Sequence, residues 1–561
     1  MFHHAAFWVA LALAVFVLGY RLYGRFLALR IFESDEDDSV TPAVAHEDGC
    51  DYVPTNRHVV LGHHFTSVAG AAPIVGPAAA CCYGWFPGYL WIVIGVVLIG
   101  AMHDFAALVV SMRHGGRSIG DVTGDLIGRR PRTLFLCLIV LLTWLVLAAF
   151  ASIIADLFVK FPASVFPINL EIPIAIAVGW WYYRRRGGIL VPSLVALVAL
   201  WGSVVVAAET PALQWSLPAA FGFTPNQIWV AFLLAYSFVT CLLPVWVLLQ
   251  PRDFINSHQL FVGLATIYLA IFVANPELTA PAVNLAAQDT SGPVFPMLFV
   301  TIACGAISGF HALVSSGTTS KQVASFRHAR QIGFGAMLGE GCVALAATMA
   351  VAAGFSAADW HKHYDDGGAV RQPLGAFVRG TANLLERAFP VIDEEIAKTV
   401  VAVIVISFAA TTLDTACRIQ RYCLSELGGA WRVKPLQNRY VASAIAAFTP
   451  FLLVVQSSDN TEIWKKVWTV FGSANQLLGA LTLLVVTIWL RRKGKPLWFT
   501  GLPALFLALV TVSGLVNIIR AQATSPAPQL AALVPAALLL VLALAIIVEG
   551  VLALRRAQPA A

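Results

Sequence analysis

The chain has 561 residues, of which 59% are apolar and only 12% are charged. Soluble domains carry about 25% charged residues, so a soluble fold could not bury this much apolar surface and lipid must surround much of it. The formal net charge is +6, and no basic patch interleaved with aromatic residues is present, which argues against nucleic-acid binding. The nine cysteines show no metal-ligand spacing, and no cofactor is expected.

Fifteen apolar stretches are long enough to cross a bilayer as helices, which takes about 20 residues each. The first has no basic residue before it and no cleavage site after it, so it is interpreted as a retained span rather than a signal peptide. The predicted spans are 4–29, 61–82, 86–112, 133–158, 167–183, 189–208, 226–249, 258–274, 294–316, 333–354, 396–417, 438–456, 467–490, 498–519 and 530–554.

The basic residues predict an orientation. If successive spans alternate in direction, most of the 36 Lys and Arg residues fall on one side of the membrane. Cytoplasmic loops are enriched in Lys and Arg, so that side is predicted to be the cytoplasm. The N-terminus is then outside and the C-terminus inside.

The second span is unsuited to a plain lipid-facing helix. Its segment 62–77, GHHFTSVAGAAPIVGP, combines three glycines and two prolines with His63 and His64. In a helix interior each Pro costs about 3 kcal/mol and each Gly about 1 kcal/mol relative to Ala, and in lipid the freed backbone groups need other partners. The pattern predicts a helix that is broken within 69–77 and lines a cavity. The alternative is a kinked helix packed tightly through its small residues.

A dense polar cluster lies in segment 304–322, CGAISGFHALVSSGTTSKQ, and includes His311, Ser315, Ser316, Thr318 and Thr319. Hydroxyl and carbonyl oxygens suit a hard cation such as sodium, or a substrate that carries a carboxylate. Hydrogen bonding between helices is the alternative role. On a helix Ser315 shares a face with Thr318 and Thr319. We expect this face to lie against the broken second span, with Ser316 pointing elsewhere.

Ionisable residues also lie inside three other spans. His103 and Asp104 are about 15 Å from the inner end of the third span, where such groups are expensive and therefore candidates for function. A buried His can carry a proton near physiological pH, so either residue is a candidate proton carrier, and a satisfied polar pair is the alternative. Glu340 is interpreted in the same way. Asp414 lies four residues before Arg418 and can pair with it, as a site or as an anchoring ion pair.

Seven stretches together resemble the carbon starvation protein A family, over about residues 60–490. They are GHHFTSVAGAAPIVGP (62–77), MHDF (102–105), QPRDF (250–254), NPE (275–277), CGAISGFHALVSSGTT (304–319), TTLDTACRIQRY (411–422) and GSANQ (472–476). The resemblance implies an all-α integral membrane protein of the cytoplasmic (inner) membrane, with a 5+5 inverted-repeat, LeuT-like core of the amino acid–polyamine–organocation type.

The resemblance also implies a division of the chain. Residues 1–30 would be an additional helix, 31–60 a cytoplasmic loop, 61–425 the core, and 426–561 additional helices. The two repeats would cover about 61–208 and 226–425. Span 226–249, which contains Pro244, would be the discontinuous sixth core helix, and span 294–316 the eighth.

Sodium-coupled relatives of this fold form a cation site between their first and eighth core helices. Together with the residue patterns described above, the resemblance gives two sets of expected site residues. The expected substrate-binding residues are His63, His64, Ser67, Gly70, Gly76 and His311. The expected ion-coupling residues are Ala69, Ser315, Thr318, Thr319, His103, Asp104 and Asp414.

Members of the family are associated with uptake of pyruvate or short peptides. Both carry a carboxylate, which the N-termini of half-helices can bind. The predicted function is import of such a nutrient coupled to H⁺ or Na⁺, with no enzyme activity, since no triad, P-loop or zincin spacing is present. Two alternatives are a membrane redox protein that holds haem through His63/His64, His103 or His311, and a nutrient sensor without transport. The oligomeric state is left open.

Overall fold

The computed structural model describes residues 2–185, 187–364, 373–455, 463–525 and 530–556. Among these residues the backbone is mostly helical, and the β-pairings are isolated bridges. The first helix, α1, covers Ala5–Ile31.

The second predicted span consists of two helices, α2 (Arg57–Val68) and α3 (Ala72–Ala80), whose axes differ by 44°. The break falls at 69–71, where Ala69 has a ψ of 56°. Pro73 lies in the first turn of α3, a position where a missing N–H costs little. The prediction that the backbone leaves helical geometry within 69–77 is confirmed.

The next five helices include a long one that forms part of the scaffold. The helix α6 begins after Gly128, whose φ of +144° is one that other residues rarely adopt. The bounds are α4 (Trp85–Arg113), α5 (Ile119–Leu126), α6 (Arg129–Lys160), α7 (Pro162–Arg185) and α8 (Leu190–Glu209).

The helices α9 (Pro225–Leu242) and α10 (Leu249–Ala274) are separated by a turn that contains Pro244. A capping box formed by Thr224 and Gln227 starts α9, which fixes its N-terminus. The predicted span 226–249 therefore ends earlier than expected, at Leu242.

A second discontinuous membrane helix is formed by α11 (Val294–Ile302) and α12 (Gly309–Gly317). Between them Ala303 has a φ of +29° and Ser308 is extended. This corrects the expectation that 226–249 supplies the second discontinuous helix. The physical reason is that Pro244 lies beyond the end of α9, whereas 303–308 interrupts a helix that continues on both sides.

The remaining described helices complete the membrane domain. They are α13 (Gly335–Ala353), α14 (Ala357–Tyr364), α15 (Pro373–Ala388), α16 (Glu394–Trp431), α17 (Arg439–Val455), α18 (Ile463–Arg492), α19 (Trp498–Ala523) and α20 (Leu530–Arg556).

Among the described residues thirteen helices are long and apolar enough to cross a membrane, and the bent α2–α3 pair and the shorter α17 are counterparts of the other two predicted spans. The long helices α6 and α16 pack against each other. Each discontinuous helix is held by several neighbours: α2 packs on α10, α3 on α11 and α13, and α12 on α4 and α18. The two helix breaks therefore lie inside the bundle, away from lipid.

Candidate transport site

The two discontinuous helices touch through glycine. A Cβ atom at Gly76 would lie 2.5 Å from the carbonyl oxygen of Thr301 and 2.8 Å from that of Ile302. A Cβ atom at Gly305 would lie 3.0 Å from the ring of Pro77. The backbone of α3 is thus in direct contact with the end of α11, an approach that a larger residue would prevent.

The break in the second discontinuous helix is held by the GSANQ motif of α18. The side-chain oxygen of Asn475 accepts hydrogen bonds from the backbone N–H of Phe310 (2.8 Å) and the hydroxyl of Ser308 (3.2 Å). The amide of Gln476 donates to the carbonyl oxygen of Phe299 (2.5 Å). One motif therefore satisfies backbone groups on both sides of the break, which a membrane interior requires.

The break in the first discontinuous helix is held by α16. The hydroxyl of Thr412 donates to the carbonyl oxygen of Ser67 (3.2 Å), and the hydroxyls of Ser67 and Thr415 are 3.2 Å apart. A Cβ atom at Gly70 would lie only 2.7 Å from Thr412 Oγ1. Ala69, at the turn itself, is fully buried. The TTLDT sequence thus supplies one hydroxyl to the backbone next to the break, from Thr412, and one to the Ser67 side chain, from Thr415.

His63 and Asp253 form a buried pair between α2 and α10. The Nδ1 atom of His63 is in hydrogen-bond contact with Asp253 Oδ2, and both side chains are fully buried. The hydroxyl of Ser67 lies 3.5 Å from the same carboxylate oxygen. The other polar atom of each group, His63 Nε2 and Asp253 Oδ1, has no hydrogen-bond partner among the described residues. The pair is therefore only partly satisfied.

His64 faces a different neighbour. Its Nδ1 atom lies 2.9 Å from the hydroxyl of Thr319, just beyond the C-terminus of α12. Thr319 thus contacts α2, five residues before the break. The expected helix face shared with Ser315 is not formed, because α12 ends at Gly317 and Thr318 leaves helical geometry.

The other hydroxyls of the cluster differ in their partners. Thr318 donates to the carbonyl oxygen of Val314 in its own helix (3.1 Å). Ser316 donates to the carbonyl oxygen of Ala312 (2.6 Å) and accepts from the N–H of Ile119 (3.0 Å). The Ser315 hydroxyl is buried and has no hydrogen-bond partner among the described residues.

Four ionisable side chains form a continuous buried chain across α4, α12 and α13. His103 Nδ1 lies 2.8 Å from Asp104 Oδ1, and the other oxygen of Asp104 lies 2.8 Å from His311 Nδ1. His311 Nε2 lies 2.9 Å from Glu340 Oε2. All four are fully buried. The structure thus joins His103, Asp104 and His311 into one group, whose fourth member is Glu340.

Asp414 belongs to a separate network around Arg252. The guanidinium of Arg252 lies 2.6 Å from Asp414 Oδ2 and 3.1 Å from Glu171 Oε1, and it donates to the hydroxyl of Tyr236 (2.9 Å). The pairing of Asp414 with Arg418 is therefore wrong. Asp414 points from α16 towards α9 and α10, whereas Arg418, one turn further along the same face, donates to the carbonyl oxygens of Thr240 and Leu243 at the end of α9.

Arg418 instead joins a cluster around Asp51, which lies in the segment before α2. It lies 3.1 Å from Asp51 Oδ1, and the hydroxyl of Tyr422 donates to the same oxygen (2.6 Å). Burial raises the pKa of the Asp51 carboxyl, but Arg418, Arg421 and the Tyr422 hydrogen bond outweigh burial, and the pKa lies below its ordinary value. Asp51 therefore stays ionised and ties the start of α2 to the end of α16.

Several residues of these networks were not among the candidates from the sequence. Asp253 and Arg252 stand in QPRDF, Thr412 and Thr415 in TTLDTACRIQRY, and Asn475 in GSANQ. All three motifs carry the family resemblance, and that was the available signal. Nothing in a single sequence states which other helix a polar side chain meets. No metal-binding group of three or more His, Cys, Asp or Glu side chains occurs in the described part of the chain.

Comparison with known proteins adds to this geometry. The family described as carbon starvation protein CstA matches residues 4–363 and 366–514. The chain is 32% identical to the peptide transporter CstA of Campylobacter jejuni, over 91% of this chain and 80% of the relative. It is also 32% identical to the pyruvate/proton symporter BtsT of Escherichia coli, over 91% of this chain and 81% of that protein.

A crystal structure of a mutant of the Eremococcus coleocola manganese transporter superposes with a TM-score of 0.51 at 14% identity. The match covers 91% of this chain and 99% of that one. At this identity the likeness concerns the fold alone, which is the LeuT-like arrangement with discontinuous helices.

Proposed function

Because the chain belongs to the carbon starvation protein CstA family of membrane transporters, we propose that it imports a small carboxylate-bearing nutrient, pyruvate or a short peptide, together with protons. The observation that carries this proposal is the buried chain from His103 to Glu340, which joins a discontinuous helix to its scaffold. Relatives named as a peptide transporter and as a pyruvate/proton symporter support the substrate class and the coupling ion.

The substrate carboxylate binds between the two helix breaks. The helix α3 begins at Ala72, directly after the first break, and α12 begins at Gly309, directly after the second. A helix N-terminus carries a partial positive charge and free N–H groups, so it favours an anion. The N-terminus of α3 at the first break provides a site for one carboxylate without a buried cation dedicated to it; at the second break the N–H of Phe310 is already bonded to Asn475. His64 and Ser315 supply further polar contacts.

The coupling proton enters the chain of four side chains. His311 lies on α12, while Asp104 and Glu340 lie on α4 and α13. With a proton on His311 the imidazolium attracts both carboxylates; without it, two carboxylates face each other in the membrane interior, which is costly. Protonation therefore changes how firmly α12 is held. His103 Nε2 and Glu340 Oε1, at the two ends of the chain, have no hydrogen-bond partner among the described residues, and the 2.9 Å contact between His311 Nε2 and Glu340 Oε2 is an ion-pair contact without hydrogen-bond geometry.

The second core repeat, in this proposal, begins with the discontinuous helix 294–317 rather than at 226. The C-terminus is placed in the cytoplasm, where the excess of Lys and Arg lies. Of the histidines considered as haem ligands, His311 is disfavoured, because both of its ring nitrogens lie against carboxylates, at 2.8 Å from Asp104 and 2.9 Å from Glu340.

Uptake into proteoliposomes tests the proposal. Labelled pyruvate and labelled di- and tripeptides are offered with an inward gradient of H⁺ or of Na⁺. Accumulation driven by H⁺ is the expected result, with pyruvate or peptide named by whichever accumulates. Accumulation driven by Na⁺ alone would contradict the coupling ion, and accumulation of no carboxylate under either gradient would contradict the transport proposal.

A further inference from the structure

We propose that His63 and Asp253 form a second proton-binding site, which holds the half-helix α2 against α10 while it is occupied. The inference rests on the proposed proton coupling and assigns it a site separate from the chain around His311. The two sites lie on different discontinuous helices, α2 and α12.

The pair bridges an element next to a break and a continuous helix. His63 lies six residues before Ala69, and Asp253 lies in the second turn of α10. The two helices are close at this point, because a Cβ atom at Gly62 would lie 2.8 Å from the hydroxyl of Ser257 and 3.1 Å from the ring of Phe254. The contact between His63 and Asp253 can therefore form only while α2 packs against α10.

His63 is the group that can neutralise Asp253, because the neighbouring cation is paired elsewhere. Arg252 is the adjacent residue, but its guanidinium is already engaged by Asp414 at 2.6 Å and Glu171 at 3.1 Å. The hydroxyls of Ser67, at 3.5 Å, and Thr415, bonded to Ser67, complete the surroundings from α2 and α16. Hydroxyls alone do not neutralise a buried carboxylate.

Other titratable groups on elements packed against α2 have partners of their own. His64 meets the hydroxyl of Thr319. On α13, Glu340 pairs with His311. Arg330, in the π-helical segment Arg330–Phe334 that leads into α13, pairs with Asp35 at 3.2 Å. Beyond Thr319, Lys321 lies over the ring of Tyr422 at 4.0 Å. None of these contacts supplies a proton or a charge to the His63–Asp253 pair.

One proton makes the pair electrically neutral. Without it, an ionised carboxylate beside a neutral imidazole leaves one net charge in the membrane interior, which is costly. With it, an imidazolium faces a carboxylate, and the attraction is strong where the dielectric constant is low. This attraction exists only while the groups touch. The pair therefore binds a proton more tightly when α2 is seated, and movement of α2 away from α10 releases the proton.

Substrate and proton would bias the same element. The helix α2 runs into the break at 69–71, where the carbonyl of Ser67 is held by Thr412 and where the substrate is proposed to bind. Two ligands that favour the same position of one element bind cooperatively, and the coupling is reciprocal. Together with the chain around His311, the protein would carry two protons per substrate.

The decisive measurement is the ratio of proton flux to substrate flux in proteoliposomes, with a pH-sensitive dye and labelled pyruvate. The variants are Asp253→Asn and His63→Gln, which remove titration but keep hydrogen-bonding atoms. Ser257→Ala is the matched control, since it changes a buried residue on the same face of α10 one turn away. We expect both test variants to carry one proton fewer per substrate, and the control to keep the wild-type ratio.

A second measurement does not depend on transport. The melting temperature of the purified protein is compared at about pH 6 and about pH 8.5, on either side of the imidazole range. A proton bound more tightly in the folded state stabilises at low pH, and this stability is lost as the pH rises. The wild-type difference between the two pH values should shrink in both variants and persist in Ser257→Ala.

The outcomes separate the two proposals. If the wild-type protein moves substrate with Na⁺ and no protons, the proposed coupling fails. If it moves protons and both folded variants keep the wild-type ratio and the wild-type pH difference in melting temperature, only the His63–Asp253 site fails. Should Asp253→Asn elute as an aggregate on size exclusion, His63→Gln alone decides, because it retains a polar side chain of similar length.

Discussion

The side-chain oxygen of Asn475 accepts a hydrogen bond from the backbone N–H of Phe310 at 2.8 Å, across 165 positions of sequence. The contact joins α18 to the first turn of α12. A helix N-terminus inside a membrane has no water to satisfy its N–H groups, and here a side chain from another helix takes that role. The second break therefore depends on α18 as well as on the helix that it interrupts.

Replacing Asn475 should damage the second break. Asn475→Ala leaves the Phe310 N–H without its acceptor and Ser308 without its amide partner, and an unsatisfied buried group costs about 1–3 kcal/mol. We expect a lower melting temperature in detergent and loss of substrate uptake. Ser473→Ala, two residues away in the same motif, is the control: the Ser473 hydroxyl has no hydrogen-bond partner among the described residues. Equal effects of the two changes would contradict the capping role.

Gly76→Ala should separate the two discontinuous helices. The added methyl group would lie 2.5 Å from the carbonyl oxygen of Thr301. Because the clash is between backbone atoms of two helices, one helix would have to move to relieve it. Overpacking of this kind typically costs about 1–3 kcal/mol. Gly202→Ala serves as the control, because nothing lies within 4 Å of its Cβ position. Thermal unfolding in detergent and uptake should both be impaired at Gly76 alone; wild-type behaviour there would argue against the close contact.

His103→Ala should uncouple transport from the proton gradient. It removes one end of the chain through Asp104 and His311, so proton-driven accumulation is expected to disappear. Counterflow exchange at equal pH should persist, because no net proton movement is then needed. Thr348→Ala, whose hydroxyl bonds only within its own helix among the contacts described, should preserve both activities. Unchanged proton-driven uptake in His103→Ala would exclude His103 as a proton carrier.

Alanine at Ser315 or Thr319 should weaken substrate or ion affinity more than alanine at Ser316. Thr319 contacts His64, and the Ser315 hydroxyl is unpartnered among the described residues. Loss of one oxygen ligand would cost about 1–3 kcal/mol, which corresponds to a rise in KM of about 5- to 150-fold. Ser316→Ala should instead lower the melting temperature, since it leaves the N–H of Ile119 without its acceptor. Equal KM values for all three variants would leave these hydroxyls a purely structural role.

Asp51→Asn should loosen the start of α2 at any physiological pH. The pKa of Asp51 is lowered, with burial opposed and outweighed by Arg418, Arg421 and Tyr422. Its stabilising charge is therefore complete above the ordinary value of about 3.9 and is lost only as the pH falls below it. The variant should lose about 1–3 kcal/mol of unfolding free energy at both about pH 5.5 and about pH 7.5. A loss confined to the higher pH would mean that Asp51 itself senses protons.

Local signals in the sequence predicted the first break well. Gly70, Pro73, Gly76 and Pro77 are close together, and the backbone does leave helical geometry at 69–71. The break comes before Pro73 because a proline is tolerated in the first turn of a helix but not in the helix interior. A prediction based on backbone preferences within one segment thus succeeded.

Partners across helices could not be predicted in this way. The i to i+4 spacing of Asp414 and Arg418 suggested a pair, but the side chains reach Arg252 and Asp51 instead. Proline is the stronger local signal and points to Pro244 for the second break, whereas the interruption at 303–308 depends on Asn475, far away in sequence. Spacing describes one helix, and these contacts are decided by how helices are packed.

The hairpin formed by α7 and α8 tolerates substitution on its outer face but not on its buried face. Its outer surface exposes Trp180, Trp181, Val195 and Val198, where one apolar residue can replace another at little cost in lipid. Glu171, on the same hairpin, supplies half of the negative charge around the buried Arg252. A shortened or chimaeric protein without α7 would therefore lose a counter-ion as well as a helix, and engineering of this hairpin must keep that one carboxylate in place.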